Sequence, residues 1–581
     1  MASYNLIREP WIRVMMRDGT NQRVGIHGAF EHAGRIRLIT GDPHTRLVVL
    51  RLLAAIHARA LTVAGHGDDT AHAQRLWAAN GVDMDAIDAY LREWEDRFDL
   101  FDPTRPFMQD AGLRVKFPRP ARTLTPWDRD RGLFGPAMDR RSVIPAADAV
   151  IALLLDLAYD TAGIKSAPGQ GRVYPPVAGI LCNGWPGPAV TWVPQTGSLA
   201  HDLLAMSPMP YRTDDLPCWE HDLLDGDDVL IRPTSMVQAW TMPTRRIRLT
   251  AGDDGMVTCA HATYGVIPDP MIMYDADPLV CLNARTGTPV YRADAERPLW
   301  LPPAWARADT RPHWFPWCAQ LMGEQPTRVE CSAAVYNQAV IEDMPSMTMQ
   351  TQSRWLADTS GDLTLFLSAV RQMADAWARM QRRFELGAGR RVLESPTDRA
   401  TSNEGLRDQH TMAAILRDLT PLIEQTLADP ADDALDMGVT RIMEYMRERG
   451  REALEQHSAL SFNLRYPAAQ AWMQFVAGVK IIAANWRTPA NDAPIEPPQR
   501  DASNNKASTP ATANPKRGRQ GKPVIREGGG MPQERFDSAT QAVAWLREHG
   551  HERAASAGIS AACNNQKRTA YGYNWRFADQ Q

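Results

Sequence analysis

The stretch DLTLFLSAVRQMADAWARMQRRFEL, residues 362–386, carries its apolar side chains three and four positions apart. That spacing lines one face of an α-helix. Three further stretches repeat it: LRDQHTMAAILRDLTPLIEQTLA (406–428), ALDMGVTRIMEYMRERGREALEQ (434–456) and PAAQAWMQFVAGVKIIAANW (467–486). Breaks rich in Pro, Gly and Asp separate them. Four amphipathic helices in succession predict a four-helix bundle over residues 359–487.

Upstream the character changes. Residues 1–358 mix helix and strand signals with many Pro and Gly turns, and read as one large mixed α/β domain. DPHTRLVVLRLLAAIHARAL (42–61) opens on Asp42-Pro43, a good helix start, and should be a buried helix. PAADAVIALLLDLAYD (145–160) reads as a second helix. RRIRLTA (245–251) and GMVTCAHATYG (255–265) read as strands. The fold class is α+β.

Downstream, residues 488–533 carry Pro494, Pro497, Pro498, Pro510, Pro515, Pro523, the triplet Gly528 to Gly530 and few apolar side chains. This composition predicts a disordered linker. Between Arg500 and Arg526 it carries Arg500, Lys506, Lys516, Arg517, Arg519, Lys522 and Arg526 against Asp501 alone. Such a run either is drawn to polyanions or solvates a tether. Residues 534–581 then predict a small module: two short helices, 538–549 and 553–563, in helix-turn-helix succession. A basic-aromatic hairpin, RTAYGYNWRF (568–577), follows.

The 581 residues suit two to four domains. Hydrophobic content of 44% and charged content of 23% are ordinary for a globular protein. The opening MASYNLIREPWIRVMM carries Arg8, Glu9 and Arg13 and has no signal pattern. No stretch approaches the roughly 20 apolar residues of a membrane span, so a cytoplasmic location with no membrane partner is expected. Seven cysteines without a CxxC pair predict free thiols. The net charge of −4 neither advertises nucleic-acid binding nor excludes a local basic patch. Eighteen tryptophans are either core or stacking platforms.

No GxSxG, P-loop, HExxH or strand-linked GxGxxG is present, and no cofactor is expected. GHGDDTAH places His66, Asp68, Asp69 and His72 close together, as a metal site or as a solvated turn. A metal-dependent nuclease or hydrolase using that cluster is the rival reading. A transcription regulator using the C-terminal module is a third. In AAVYNQAVIED (333–343), two amides interrupt an apolar run. They form either a plain turn between short strands or an amide pair that reads something else.

Taken in order, YNLIREPWIRV (4–14), RPFMQ (105–109), YDTAGIKS (159–166), LPCWE (216–220), RRIRL (245–249) and YNQAVI (336–341), followed by four helices, resemble one family. It is the large subunit of the type I-E CRISPR Cascade complex, the CasA family. The likeness covers roughly residues 1–490. It implies a non-catalytic subunit that joins other Cascade subunits and CRISPR RNA. Such a subunit reads the protospacer-adjacent motif in target double-stranded DNA, starts unwinding and recruits a helicase-nuclease.

The resemblance assigns the minor-groove turn to Asn337, Gln338 and Ala339, with Gln338 as the wedge. It assigns a second DNA-facing loop to Ala162–Ser166, where Gly163 permits close approach and Lys165 and Ser166 hold a phosphate or base edge. A loop contacting the guide end places its aromatic residue at Phe134. Some relatives insert a Lys into the minor groove from a middle strand. GVIPDPMIMY (265–274) has none, and Arg245 or Arg246 are the available substitutes. The C-terminal module resembles helix-turn-helix units attached to homing endonucleases. That likeness puts DNA contacts on Lys567, Arg568, Tyr571, Tyr573, Trp575 and Arg576. A protein-binding module or a solvated cap is the alternative.

Overall fold

The computed structural model describes residues 3–125, 143–161, 165–166, 172–173, 190–221, 230–231, 233–268, 276–281, 298–301, 303–337, 340–387, 403–458, 465–488, 524–527, 534–536, 539–548, 559, 562–563 and 573–577. Phe134, Gly163, Gln338, Ala339, Lys567, Arg568 and Tyr571 lie outside them. The chain divides into two compact units, residues 1–491 and 492–581.

The first unit is mixed α+β and is organised around the helix Pro43–Val63. Asp42 caps it, its carboxylate accepting from the backbone N–H of His44 and Thr45, with Pro43 at the first helical position. Leu47, Leu50, Leu53 and Ile56 are buried, as the sequence predicts, and the opposite faces are buried too. The helices Met84–Glu93, Ala146–Tyr159, Leu199–Met206 and Met236–Thr241 all pack on it. One buried cation is paired on this helix: Arg51 Nη2 donates to Asp277 Oδ2 at 2.6 Å.

Three antiparallel sheets surround this helix layer. The first orders Asn21–Val24, Ile12–Met16 and Ile36–Ile39. The second pairs Arg245–Ala251 with Met256–Tyr264, the two stretches read as strands. The third orders Ser346–Gln352, Pro326–Ser332 and Thr191–Pro194. Beyond its edge the chain forms a hairpin, Val335–Asn337 against Val340–Asp343.

The helices Asp362–Gly387, Asn403–Ala428, Ala434–Ser458 and Arg465–Ala484 follow. The first packs against each of the other three. Their apolar faces join the core of the mixed region, and Trp300 Nε1 donates to Thr420 Oγ1 at 3.1 Å across the join. The change of pattern near residue 358 therefore marks a change of secondary structure inside one core.

The second unit is built on a three-stranded antiparallel sheet, with Val524–Glu527 between Glu534–Phe536 and Asn574–Phe577. The helix Ala539–Glu548 packs on it, and Ile559, Ala562 and Cys563 complete the apolar core. This corrects the sequence reading in two places. Residues 524–527 are a strand, although they fall in the stretch read as linker. The strand Asn574–Phe577 pairs with that distant segment. Four residues in a Pro- and Gly-rich stretch carry too little periodicity to announce a strand, and pairing over such a separation leaves no local signal.

Of the seven cysteines, the six described are free thiols. Burial pushes the Cys218 thiol up to about 12 and raises the Cys281 thiol far above its ordinary range, so neither is a thiolate at neutral pH. Trp11, Trp192, Trp219, Trp300, Trp305 and Trp314 are fully buried core residues.

Candidate nucleic-acid interface

The strands flanking the amide pair form an anchored hairpin. Asn337 pairs with Val340, and the two intervening positions, Gln338 and Ala339, lie outside the described residues. The hairpin's root is held twice. Ala333 N–H donates to Pro345 O at 3.0 Å, and Ala333 O accepts from the buried His44 Nε2 at 2.9 Å. His44 is itself fixed at the capped end of Pro43–Val63. Burial there works against the Asp42 charge, but hydrogen bonds from His44 and Thr45 outweigh it and hold the carboxyl below the usual carboxylate range. One turn further on, Arg46 grips Glu330 of the neighbouring strand with Nε at 2.9 Å, and Gln195 Nε2 donates to the same carboxylate at 2.6 Å.

The root of the second loop meets the same histidine. The His44 ring packs edge-on against Tyr159 at 5.5 Å, three residues before Ala162. Lys165 and Ser166 form a short strand paired with Arg172–Val173 and lying beside Met256–Tyr264. Arg245 clamps the start of this loop. It ion-pairs with the Asp160 carboxylate, and its Nη2 donates to Asp160 O at 3.2 Å and Thr161 O at 3.4 Å. Arg119 Nη2 adds charge 3.4 Å from Asp156. The structure thus brings together the roots of the two loops, 162–166 and 335–343, through His44 and Tyr159.

The candidates elsewhere separate clearly. Arg245 is fully buried and cannot serve as a substitute for a groove-inserted Lys. Arg246 is partly exposed and donates through Nε to Asp110 Oδ2 at 2.7 Å. In the second unit, Trp575 is buried in the core, and Tyr573 packs on Arg526 and on Trp545. Arg526, counted with the basic run, is 2% exposed, stacked over Trp545 at 4.4 Å and paired with Glu534 at 3.3 Å. These aromatic side chains fill a core; Arg576 is half-buried at its edge. Of the GHGDDTAH residues, His66, Asp69 and His72 offer one ligand atom each, all within 4.8 Å of one another, whereas Asp68 is exposed outside the group.

The family described as CRISPR-associated protein Cse1 matches residues 5–457 of this chain. The chain belongs to the Cse1 family. A curated Cse1 relative, the CRISPR-associated protein CasA/Cse1 of Thermus thermophilus, is 31% identical over 316 residues, covering 52% of this chain and 59% of that protein. The matched stretch is thus under two thirds of that relative's length. Among solved structures, Thermobifida fusca Cse1 superposes with a TM-score of 0.69 at 21% identity, over 83% of this chain and 98% of that one. Thermus thermophilus CasA superposes with a TM-score of 0.66 at 23% identity, over 83% and 100%. A chain of a CRISPR RNA-guided surveillance complex gives 0.59 at 19% identity, over 83% and 100%. At these identities the likeness is one of fold.

Several Cse1-like motifs turn out to be scaffold. In LPCWE, Glu220 is gripped by Arg59 Nε at 2.8 Å and by the Tyr90 hydroxyl at 2.6 Å, and Trp219 Nε1 donates to that hydroxyl. In RPFMQ, Gln109 donates to Leu100 O at 2.9 Å and accepts from Leu249 N–H at 2.8 Å. Sequence reasoning missed His44, Tyr159 and Asp160 as the residues at the roots of the two loops. Only Asp42-Pro43 signalled that a helix N-terminus stood there.

Proposed function

We propose that this chain is the large subunit of a type I-E Cascade complex, and that it recognises the protospacer-adjacent motif in double-stranded DNA. In this reading Gln338, flanked by Asn337 and Ala339, wedges below the motif from the minor groove and starts strand separation. An amide meets the acceptors that every base pair presents there without demanding one sequence. Gly163, Lys165 and Ser166 approach the same DNA from the second loop, and Phe134 serves the guide end. The partners are the other Cascade subunits, CRISPR RNA, target DNA and the helicase-nuclease that the bound complex recruits. The chain acts by recognition rather than by catalysis.

The observation that carries this reading is the hairpin 335–343, whose root His44 ties to Tyr159 at the start of the other loop. Family membership and the shared fold support it. The test is binding of the reconstituted complex to duplexes in which a guide-matched target follows randomised bases. Wild type should select a short flanking motif, and Gln338→Ala should lose strand opening, read by permanganate reactivity of the first target bases. Equal binding by both proteins, whatever the flank, would reduce residues 333–343 to a plain turn.

A further inference from the structure

His66, Asp69 and His72 lie where the loop after Pro43–Val63 enters the helix Thr70–Ala79. Two features orient their donor atoms. Asp69 caps that helix through Oδ1, which accepts from His72 N–H at 2.8 Å. Its second oxygen, Oδ2, is left facing His66 Nδ1 at 3.9 Å. The His66 and His72 rings stack at 4.1 Å, which brings two imidazoles to one side of that carboxylate. Arg75 Nη2 comes within 3.2 Å of His72 Nδ1 and 3.6 Å of Asp69 Oδ2. A guanidinium only donates, so His72 Nδ1 presents a lone pair on this side. The cluster already draws one cation, on a side chain that is 65% exposed and able to swing into solvent.

Behind the cluster the surroundings are those of a ligand shell. Asp83 caps the next helix, Met84–Glu93, by accepting from Ala86 N–H at 3.0 Å. Its Oδ2 stands 3.0 Å from the far nitrogen of His72. A carboxylate on the far side of a ligating imidazole is the usual outer-shell partner of a metal-bound histidine. Independently, His57 is fully buried, and neither ring nitrogen has a hydrogen-bond partner among the described residues. Burial lowers its pKa and keeps the ring neutral.

We propose that His66, Asp69 and His72 bind a borderline divalent transition-metal ion of the zinc class, with Asp83 behind His72 as the outer-shell carboxylate. Two imidazoles and one carboxylate suit zinc or cobalt and do not suit calcium or magnesium, which take all-oxygen shells. The ion staples the loop 64–69 to the first turn of Thr70–Ala79. This site stands apart from the two DNA-facing loops and does not depend on the function proposed above.

The full chain, stripped with chelator and dialysed, is incubated with zinc chloride, passed through gel filtration and assayed for zinc by elemental analysis. Cobalt chloride replaces zinc for visible absorption. Wild type should retain one equivalent of zinc, show cobalt d–d bands and melt at a higher temperature with zinc than without. His66→Gln and Asp69→Asn should abolish all three. Asn is as good a helix cap as Asp, so the second variant removes the charge and spares the fold. Asp83→Asn should weaken zinc about 10- to 100-fold. His32→Gln, outside the cluster, should change nothing. Substoichiometric zinc on wild type, or zinc retained equally by His66→Gln and Asp69→Asn, overturns the proposal.

Discussion

Arg245 is a full positive charge taken out of water, and its surroundings show how that is tolerated. The Asp160 carboxylate and three backbone carbonyls, of Thr244, Asp160 and Thr161, meet its guanidinium. Arg245→Met would take the nearer cation from the buried Asp160 carboxylate, with Arg119 standing at 3.9 Å. Loss of one partner from such a pair costs about 3–5 kcal/mol. We expect a lower melting temperature in calorimetry and a displaced loop 162–166, seen as faster proteolysis within it. The sequence held a clue: in RRIRL, Arg245 shares its strand face with the buried Ile247 and Leu249. Alternation tells which way a side chain points, but it cannot name the carboxylate that receives it.

Asp202 gives the residue-scale pH prediction. Burial pushes its carboxyl up to about 7, against hydrogen bonds from Thr196. The folded chain therefore holds this proton more tightly than the unfolded chain, whose carboxyl titrates at about 3.9. The stabilisation is complete below about pH 4 and is lost as pH rises toward 7. Asp202→Asn, which keeps an acceptor for Thr196, should remove that loss. Melting temperatures of the two proteins should converge at acid pH, and the variant should be the more stable at pH 8. Parallel profiles for the two proteins would refute the assignment.

At the scale of elements, close crossings decide how the four C-terminal helices pack. Gly438 in Ala434–Ser458 meets Asn403–Ala428 so closely that an added Cβ would stand 2.4 Å from Thr426 Cγ2. Gly438→Ala should push the helices apart and cost about 1–3 kcal/mol, as overpacking does. Chemical denaturation of the 1–491 unit measures it, and an unchanged midpoint would deny the close crossing. The helices themselves were legible because an apolar repeat of three and four is a local property. Gly438 was not, because a glycine's role depends on the neighbouring helix. The hairpin 335–343 was legible as two short strands around a polar pair. Its anchoring by His44 was not.

At the scale of the molecule, the chain is two separately cored units. A chain ending at Asn491 should keep the melting transition of the first unit. If the second unit is a tethered DNA contact, the same truncation should lower the complex's DNA affinity and flatten its dependence on salt, because fewer phosphates are neutralised. Unchanged affinity and slope would leave the second unit to a protein partner. Its sequence reading was only half successful. The helix Ala539–Glu548 lies inside the predicted 538–549, while the sheet was missed because its central strand is Val524–Glu527, inside the apparent linker.

By itself the sequence determined the α+β class, the capped helix at Asp42-Pro43, the strands 245–251 and 255–265 and the succession of four helices. Periodicity, capping and turn chemistry act over a few residues and can be read along the chain. Only the tertiary structure decided that Arg245 is a buried clamp, that Trp575 and Arg526 belong to a core, and that His44 joins the described roots of both candidate DNA loops. His44 and Ala333 are 289 positions apart. Burial and pairing are properties of the segments that meet, and a one-dimensional pattern holds no record of that meeting until the chain has folded.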